Sequence, residues 1–169
     1  METTAPRIIG PNDGKAGDLG SIGVRFMING EQSGGGFSLV EHPMPPRRLA
    51  APLHRHTRED EYSFVLEGRM GALLGDDVVY AEVGDLVFKP RNQWHTFWNA
   101  GDEPARILEI ISPAGFEQFF EELSSQPAEG PRDPGELASL AARYGAQLDF
   151  ESIPGLIARF GVIFGPGTE

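Results

Sequence analysis

Apolar and polar residues alternate in short runs along the first two thirds of the chain. Alternate positions of residues 22–28 are apolar, and residues 62–66 are rich in types that favour strands. Turn-forming residues separate these runs, as at Gly75-Asp76-Asp77, where a hairpin is predicted. Turns at this short, regular spacing predict an all-β barrel or sandwich rather than alternating strands and helices.

The periodicity changes after residue 112. Four apolar residues recur with the spacing of one helix face: Phe116, Phe119, Phe120 and Leu123. Two more short helices are predicted after Asp133 and Ser152, which are typical N-cap residues. We therefore expect a β-barrel over residues 1–112 and a C-terminal helical extension over residues 113–169, packed together as a single domain. The phenylalanine face is expected to pack on the outside or mouth of the barrel, with a lid over a ligand cavity as the alternative.

The composition fits such a fold. Glycine (22 residues) and proline (14 residues) are plentiful in a chain of 169, as expected where many short strands need turns. A chain of this length can bury a sizeable core in one domain. Cysteine is absent, which excludes a disulfide framework and thiolate chemistry.

The charge and the apolar content limit the partners. A net charge of −11 argues against nucleic acid, whose phosphates would be repelled. The first residues lack the apolar segment of a secretory signal, and no apolar run approaches the roughly 18 residues that span a bilayer. We therefore expect a cytoplasmic protein with a small organic substrate and with neither a nucleic-acid nor a membrane partner.

Three of the four histidines lie in two short runs that predict one metal site. His54 and His56 are two residues apart on a predicted strand, so they share a face. Glu61 follows the polar residues 57–60, and we expect it to open the next strand of a hairpin and to face back toward the histidines. His95 supplies a third imidazole. Imidazoles and carboxylates are side chains that divalent transition metals prefer.

These two runs resemble the two cupin motifs. The run His54-x-His56-x4-Glu61-x6-Gly68 is similar to the first motif, and Gly84-x5-Pro90-x-Asn92-x2-His95-x3-Asn99 is similar to the second. Asn92 stands where cupins usually have glycine, and asparagine tolerates positive φ, so the tight turn is expected to survive. The resemblance implies a jelly-roll β-barrel with one divalent transition metal (Fe, Ni, Mn, Co, Cu or Zn) held by His54, His56, Glu61 and His95.

Strand parity predicts what surrounds the ligands. Residues that share a face with Glu61 or His95 are candidates for a mostly apolar substrate pocket, or else for the barrel core: Ser63, Val65, Gln93 and Phe97. Trp94 and Trp98 fall on the opposite face, and we expect them to pack between sheets or in a dimer contact. His42 has no motif around it and is interpreted as an ordinary strand-end histidine.

Among cupins, the chain is similar to small, single-domain, quercetinase-like (flavonol 2,3-dioxygenase-like) proteins, and this similarity extends into residues 113–121. The resemblance implies an oxidoreductase, a metal-dependent dioxygenase that cleaves an enol-bearing aromatic molecule. Glu61 would then be the catalytic base that removes the hydroxyl proton. Two alternatives remain: a metal-dependent cyclase, isomerase or lyase of polyketide-type metabolism, and a non-catalytic small-molecule-binding cupin. The full ligand set favours the two enzymes over the binding protein.

A homodimer is also predicted. Single-domain barrels of this kind expose sheet edges and an apolar outer face, and oligomerisation is a common way to cover both. Trp94 or Trp98 would be natural contributors to the contact.

Overall fold

The computed structural model describes residues 5–127 and 131–166. Its strands are β1 (Ala16–Asp18), β2 (Gly23–Ile28), β3 (Ser38–Met44), β4 (Leu53–His56), β5 (Asp60–Glu67), β6 (Met70–Leu74), β7 (Asp77–Ala81), β8 (Leu86–Lys89), β9 (His95–Asn99), β10 (Ala105–Ser112) and β11 (Ala146–Asp149). Its α-helices are α1 (Glu117–Ser125), α2 (Pro134–Arg143) and α3 (Ile153–Phe160).

The strands form two antiparallel sheets. One has the spatial order β1-β2-β3-β10-β5-β8, and the other has the order β11-β4-β9-β6-β7. The two sheets enclose a core whose members come from both, including Met44, Val65, Met70 and Ile107. This arrangement is a jelly-roll type β-barrel, and the predicted mainly-β fold class is confirmed.

Strand parity explains which side chains enter the barrel. Along β10 the buried positions alternate with partly exposed ones, so Ala105, Ile107, Glu109 and Ile111 point inward. Most of these inward positions are apolar, and their burial stabilises the barrel. Glu109 is the exception, and it lies close to the candidate site described below.

The turns follow the sequence closely in two places. β6 and β7 form the predicted hairpin, with Leu74 paired to Asp77 across a two-residue loop. Asn92 adopts a φ of 66°, and its N–H donates a hydrogen bond to the His56 carbonyl at 2.7 Å. The expectation that asparagine preserves the tight turn before His95 is therefore confirmed.

The predicted hairpin between the strands of His56 and Glu61 is wrong. β4 pairs with β9 and β11, whereas β5 pairs with β10 and β8, so the two strands belong to different sheets. The short polar connection after His56 crosses from one sheet to the other. A polar turn marks where a strand ends, but it does not specify which strand the chain pairs with next.

The C-terminal segment contributes helices and one strand. α1, α2 and α3 follow the barrel, and the Asp133 side chain caps α2 by accepting a hydrogen bond from the Glu136 N–H at 2.9 Å. β11 adds to the edge of the second sheet, where it pairs with β4. The helical extension expected from the sequence therefore also carries a strand. The division into two parts at residue 112 stays a prediction. Residues 1–4, 128–130 and 167–169 of the predicted parts lie outside the described residues.

Trp98 differs from its predicted contacts, whereas the predicted dimer contact of Trp94 stays a prediction. Trp98 is buried on the outer face of the second sheet, where its ring stacks on Phe160 of α3 at 4.1 Å. It therefore packs between a sheet and a helix rather than between sheets or in a dimer contact. Trp94 is half-buried beneath the Arg55 guanidinium, 5.0 Å from its ring centre.

An apolar surface remains exposed on the first sheet. Its residues, which we call the outer β5–β8 face, are Tyr62, Phe64, Leu86 and Phe88. The Tyr62 and Phe88 rings stack at 5.0 Å, and β8 is the edge strand of its sheet. Among the described residues, no helix has the length and apolar character needed to cross a membrane.

Candidate metal centre

Four side chains from three strands converge inside the barrel. β4 supplies His54 and His56, β5 supplies Glu61 and β9 supplies His95. One ligand atom from each of these buried residues lies within 4.8 Å of the others. His54 and His95 are cross-strand partners, and their ring centres are 4.4 Å apart. The structure thus brings together the four residues that the sequence predicted as metal ligands.

Backbone carbonyls orient two of the imidazoles. His54 Nδ1 lies 2.8 Å from the Pro52 carbonyl oxygen, and His95 Nδ1 lies 3.1 Å from that of Gln93. A carbonyl only accepts hydrogen bonds, so each Nδ1 carries the proton and each Nε2 presents a lone pair. Such outer hydrogen bonds are typical of histidines that bind metals, because they fix both the tautomer and the ring orientation.

His56 gives a further indication that an ion fits the site. Its two ring nitrogens are buried and have no hydrogen-bond partner among the described residues, and Nε2 lies 3.3 Å from Glu61 Oε2. A buried polar atom without a partner costs free energy, which a bound cation would recover. Three imidazoles and one carboxylate suit a divalent transition metal and leave one or two positions open on a five- or six-coordinate ion.

The electrostatics prepare these groups for metal binding. Burial alone would raise the pKa of Glu61, but His56, Lys89 and His95 outweigh it and hold that pKa well below its ordinary value. Burial lowers the pKa of His54 well below its ordinary value and also lowers the pKa of His95. Near neutral pH the site therefore offers an ionised Glu61 carboxylate beside the neutral imidazoles of His54 and His95, which are the forms that bind a metal.

An apolar cavity opens from these ligands. His54, His56 and Glu61 lie at one part of its wall, and aromatic rings form much of the remainder: Phe97, Phe116, Phe119, Phe120, Phe150 and Phe164. The edge of the Phe116 ring meets the His56 ring with 4.3 Å between centres. The phenylalanine face of α1 therefore lies against the cavity, which suits a small aromatic molecule.

The four predicted pocket residues have different positions. Phe97 lines the cavity, whereas Val65 packs in the barrel core. Ser63 is buried, and its hydroxyl donates a hydrogen bond to Glu109 at 2.7 Å. Gln93 is exposed, so its predicted inward orientation is wrong. Strand parity does not extend to Gln93 because β9 begins only at His95.

Sequence reasoning missed three polar residues inside the barrel. His42 lies within β3 rather than at its end and lines the cavity, as does Glu109, while Lys89 is buried next to Glu61. Parity was the available signal, because each of the three alternates with inward apolar residues on its own strand. The interpretation of His42 as an ordinary strand-end histidine is therefore wrong.

His42 is held as a neutral imidazole. Its Nδ1 lies 2.9 Å from the Gly23 carbonyl oxygen, and its ring meets Phe120 edge to face at 5.2 Å. Burial lowers the pKa of His42 to about 4, in spite of the hydrogen bond to Gly23. At neutral pH His42 therefore adds a polar but uncharged group to the cavity.

Comparisons with known proteins agree with this geometry. Residues 41–111 match the sequence profile of the family described as Cupin domain. The chain is 25% identical over 118 residues to "Polyketide synthase CurC" of Streptomyces cyaneus, a match covering 67% of this chain and 73% of that protein. It is 28% identical over 78 residues to "Tetracenomycin polyketide synthase protein TcmJ" of Streptomyces glaucescens, covering 46% and 52%.

The structural comparison bears on the fold alone. The structure of KdgF from Halomonas sp. superposes with a TM-score of 0.59 at 14% sequence identity. The match covers 68% of this chain and 99% of that one. The shared part is the barrel architecture, since identity this low carries no information on chemistry.

We predict that the protein binds one divalent transition metal per chain. Replacing His56 or His95 by alanine should weaken binding by at least about tenfold, because each imidazole is a buried donor of the site. Elemental analysis after loading and dialysis measures the occupancy. His42→Asn is the matched control, since it changes a buried histidine outside the ligand set, and it should keep the metal. Full occupancy in His56→Ala and His95→Ala would contradict the predicted ligands.

The buried His42 also predicts a pH dependence of stability. The pKa of His42 is about 4 in the folded protein and about 6.5 when unfolded, so the unfolded state takes up the proton first as pH falls. The contribution of His42 to the free energy of unfolding is fully present above about pH 6.5 and is lost as the pH falls toward 4. The loss from this group is at most about 3 kcal/mol.

His42→Asn isolates that contribution. Asparagine can still donate to the Gly23 carbonyl but does not titrate, so its free energy of unfolding should fall less steeply between about pH 6.5 and 4 than that of the wild type. Urea unfolding of the metal-free proteins measures both slopes. The other histidines are common to both proteins, and equal slopes would contradict the prediction.

Proposed function

We propose that residues 41–111, which match the profile described as Cupin domain, form a cupin domain, and that the protein is a metal-dependent enzyme acting on enol-bearing aromatic molecules of polyketide type. One observation carries the proposal: three imidazoles and a carboxylate lie together, and His54, His56 and Glu61 of this set line a cavity walled by phenylalanines. The ligand set supplies the chemistry, and the aromatic walls select the class of substrate.

The aromatic walls would bind and orient the substrate. Phe97 and Phe116 lie beside the ligands, and flat aromatic substrates pack against such rings by offset or edge-to-face contacts. Exclusion of water from an apolar chamber also strengthens each polar interaction inside it. A substrate hydroxyl directed at the ligands would therefore be held near Glu61 in a dry environment.

Glu61 would act as the general base. Its carboxylate is ionised at neutral pH and lines the cavity, so it can accept the proton of an enol hydroxyl directed at it. A bound metal ion would supply Lewis acidity that stabilises the resulting negative charge on the substrate oxygen. His54 and His95 would keep their orientation throughout, since carbonyls hold their Nδ1 atoms.

The named relatives favour cyclisation, isomerisation or lyase chemistry. CurC and TcmJ are both described as polyketide synthase proteins, and the CurC match covers two thirds of this chain. Removal of an enol proton prepares a poly-oxygenated aromatic precursor for ring closure or rearrangement without an oxidant. This supports metal-dependent cyclase-type chemistry as the primary function.

A quercetinase-like dioxygenase is the second candidate. It is favoured by the open coordination positions of the ligand set and by the same water-excluding aromatic cavity. It shares its first step with the cyclase, because both need Glu61 to take a proton from an enol. The two differ in whether the reaction consumes dioxygen.

An oxygen-resolved screen tests these candidates. Metal-loaded protein would be incubated with flavonols and with polyhydroxylated polyketide-type aromatics, in air and under nitrogen, while an electrode follows dioxygen and mass spectrometry follows products. Equal product formation in air and nitrogen supports the cyclase-type enzyme. Oxygen consumption with addition of oxygen atoms to the product supports the dioxygenase. Binding without turnover in either atmosphere would overturn both and favour a binding protein.

Glu61→Gln separates catalysis from metal binding. The three imidazoles remain, so much of the metal should be retained, while loss of the base should lower turnover per bound metal by roughly 10² to 10⁴. Rates normalised to metal content provide the measurement. The matched control is Glu67→Gln, an exposed position on the same strand, which should leave the rate unchanged. Equal normalised rates in Glu61→Gln and wild type would exclude Glu61 as the base.

We also propose that the protein is a homodimer formed through the outer β5–β8 face. This face exposes adjacent aromatic side chains on an edge strand, and such surfaces are commonly covered by oligomerisation. Sedimentation at micromolar concentration should show a dimer, and Phe88→Glu should convert it to a monomer. Ile157→Glu, an exposed apolar position on α3, is the control and should stay dimeric. A monomeric wild type would contradict the proposal.

A further inference from the structure

We propose that Lys89 is a positioning residue of the metal centre, whose ammonium offers the Glu61 carboxylate a second partner in competition with the ion. Glu61 could then leave the ion and still be held inside the barrel by Lys89. A carboxylate that acts both as a metal ligand and as a base needs this freedom. The proposal rests on the proposed function for its chemical purpose, but its contacts and its test do not depend on any substrate.

The sheet register places Lys89 beside Glu61. β8, β5 and β10 are adjacent strands, and Lys89 is the direct cross-strand partner of Glu61. The Lys89 Nζ atom lies 3.3 Å from Glu61 Oε2 and 2.9 Å from Glu109 Oε1. All three side chains are at most 4% exposed. The ammonium is therefore shared between a predicted metal ligand and a second buried carboxylate.

Lys89 stays charged in this environment. Its Nζ atom faces the carboxyl groups of both Glu109 and Glu61, and acidic partners this close favour the charged form of a buried lysine. The ammonium also lies 4.5 Å from the centre of the Phe97 ring, which is a favourable contact for a cation. Lys89 is thus a fixed positive charge rather than a neutral nucleophile.

Glu109 and Ser63 hold the ammonium in place. The Ser63 hydroxyl donates to Glu109 Oε2 at 2.7 Å, which leaves Oε1 directed at Lys89. A buried ion pair of this kind often adds little net stability, because desolvation offsets the attraction. Its position places the ammonium in contact with Glu61, where it can act on a predicted ligand.

One oxygen atom of Glu61 serves both partners. Oε2 lies 3.2 Å from His95 Nε2 and 3.3 Å from His56 Nε2, and it is also the oxygen that faces Lys89. An ammonium and a metal ion that share an oxygen compete for its lone pairs. The competition weakens the hold of Glu61 on the ion, so removing Lys89 should tighten metal binding through Glu61.

A double-mutant cycle on metal affinity tests this competition. The double variant Lys89→Met/Glu109→Gln removes the ammonium together with its Glu109 partner, so that the bound ion becomes the charge partner of Glu61. Dissociation constants for Co²⁺, measured by chelator competition at constant pH, would be compared for the wild type, this double variant, Glu61→Gln, and the triple variant. We expect the pair removal to tighten binding by about tenfold when Glu61 is present and by less than about twofold in Glu61→Gln.

The alternative mechanisms predict different results. If Lys89 acted only by repelling the ion, removal of the ion pair would tighten metal binding equally with and without Glu61, and that result would overturn the proposal. Unchanged affinity in all four proteins would also overturn it. The visible absorption spectrum of bound Co²⁺ should change between the wild type and the pair-removal variant but not between Glu61→Gln and the triple variant. Lys89→Arg keeps the charge and should restore affinity to near the wild-type value.

A second variant covers the case in which the pair-removal variant does not fold, and the absence of substrate separates this inference from the proposed function. If the pair-removal variant does not fold, as judged by circular dichroism, Lys89→Gln provides the same comparison with a neutral hydrogen-bond donor. Because no substrate enters the cycle, coupling between Lys89 and Glu61 without any turnover would support this inference while contradicting the proposed function. Turnover without coupling between Lys89 and Glu61 would support the proposed function and contradict this inference.

Discussion

Compensation of charge inside the barrel is the constraint on which the rest of this structure depends. Three imidazoles and one carboxylate of the candidate centre are removed from water, and each must find partners or lose free energy. Backbone carbonyls satisfy the outer nitrogens of His54 and His95, and Lys89 meets the charge of Glu61. The site is polar, yet it lies inside an apolar shell built by both sheets and the phenylalanines beside them.

That shell also determines what can reach the site. The inward side chains of both sheets build the barrel core, and the phenylalanines of α1 complete the cavity from the other side. The C-terminal segment is thus part of the candidate site: β11 extends the sheet beside β4, and Phe116, at the N-cap of α1, packs against His56. An aromatic substrate would contact both the barrel and this segment.

Several features of the fold and the site could be predicted from local patterns. Alternation and turn residues predicted the mainly-β fold, the β6–β7 hairpin and the strand position of His54 and His56. The side-chain chemistry of the two histidine runs predicted a shared site, and the structure places those ligand atoms together. The pairing of β4 and β5 could not be predicted, because a turn sequence does not encode which sheet the next strand joins.

The sequence by itself determined the donor atoms of the site and the faces on which most of them lie, since residue type and strand parity are local properties. Only the tertiary structure decided that Lys89 and Glu109 flank Glu61 and that His42 lines the cavity. These contacts join strands that are distant along the chain. Their register is set by burial of whole sheet faces, which no short run of residues contains.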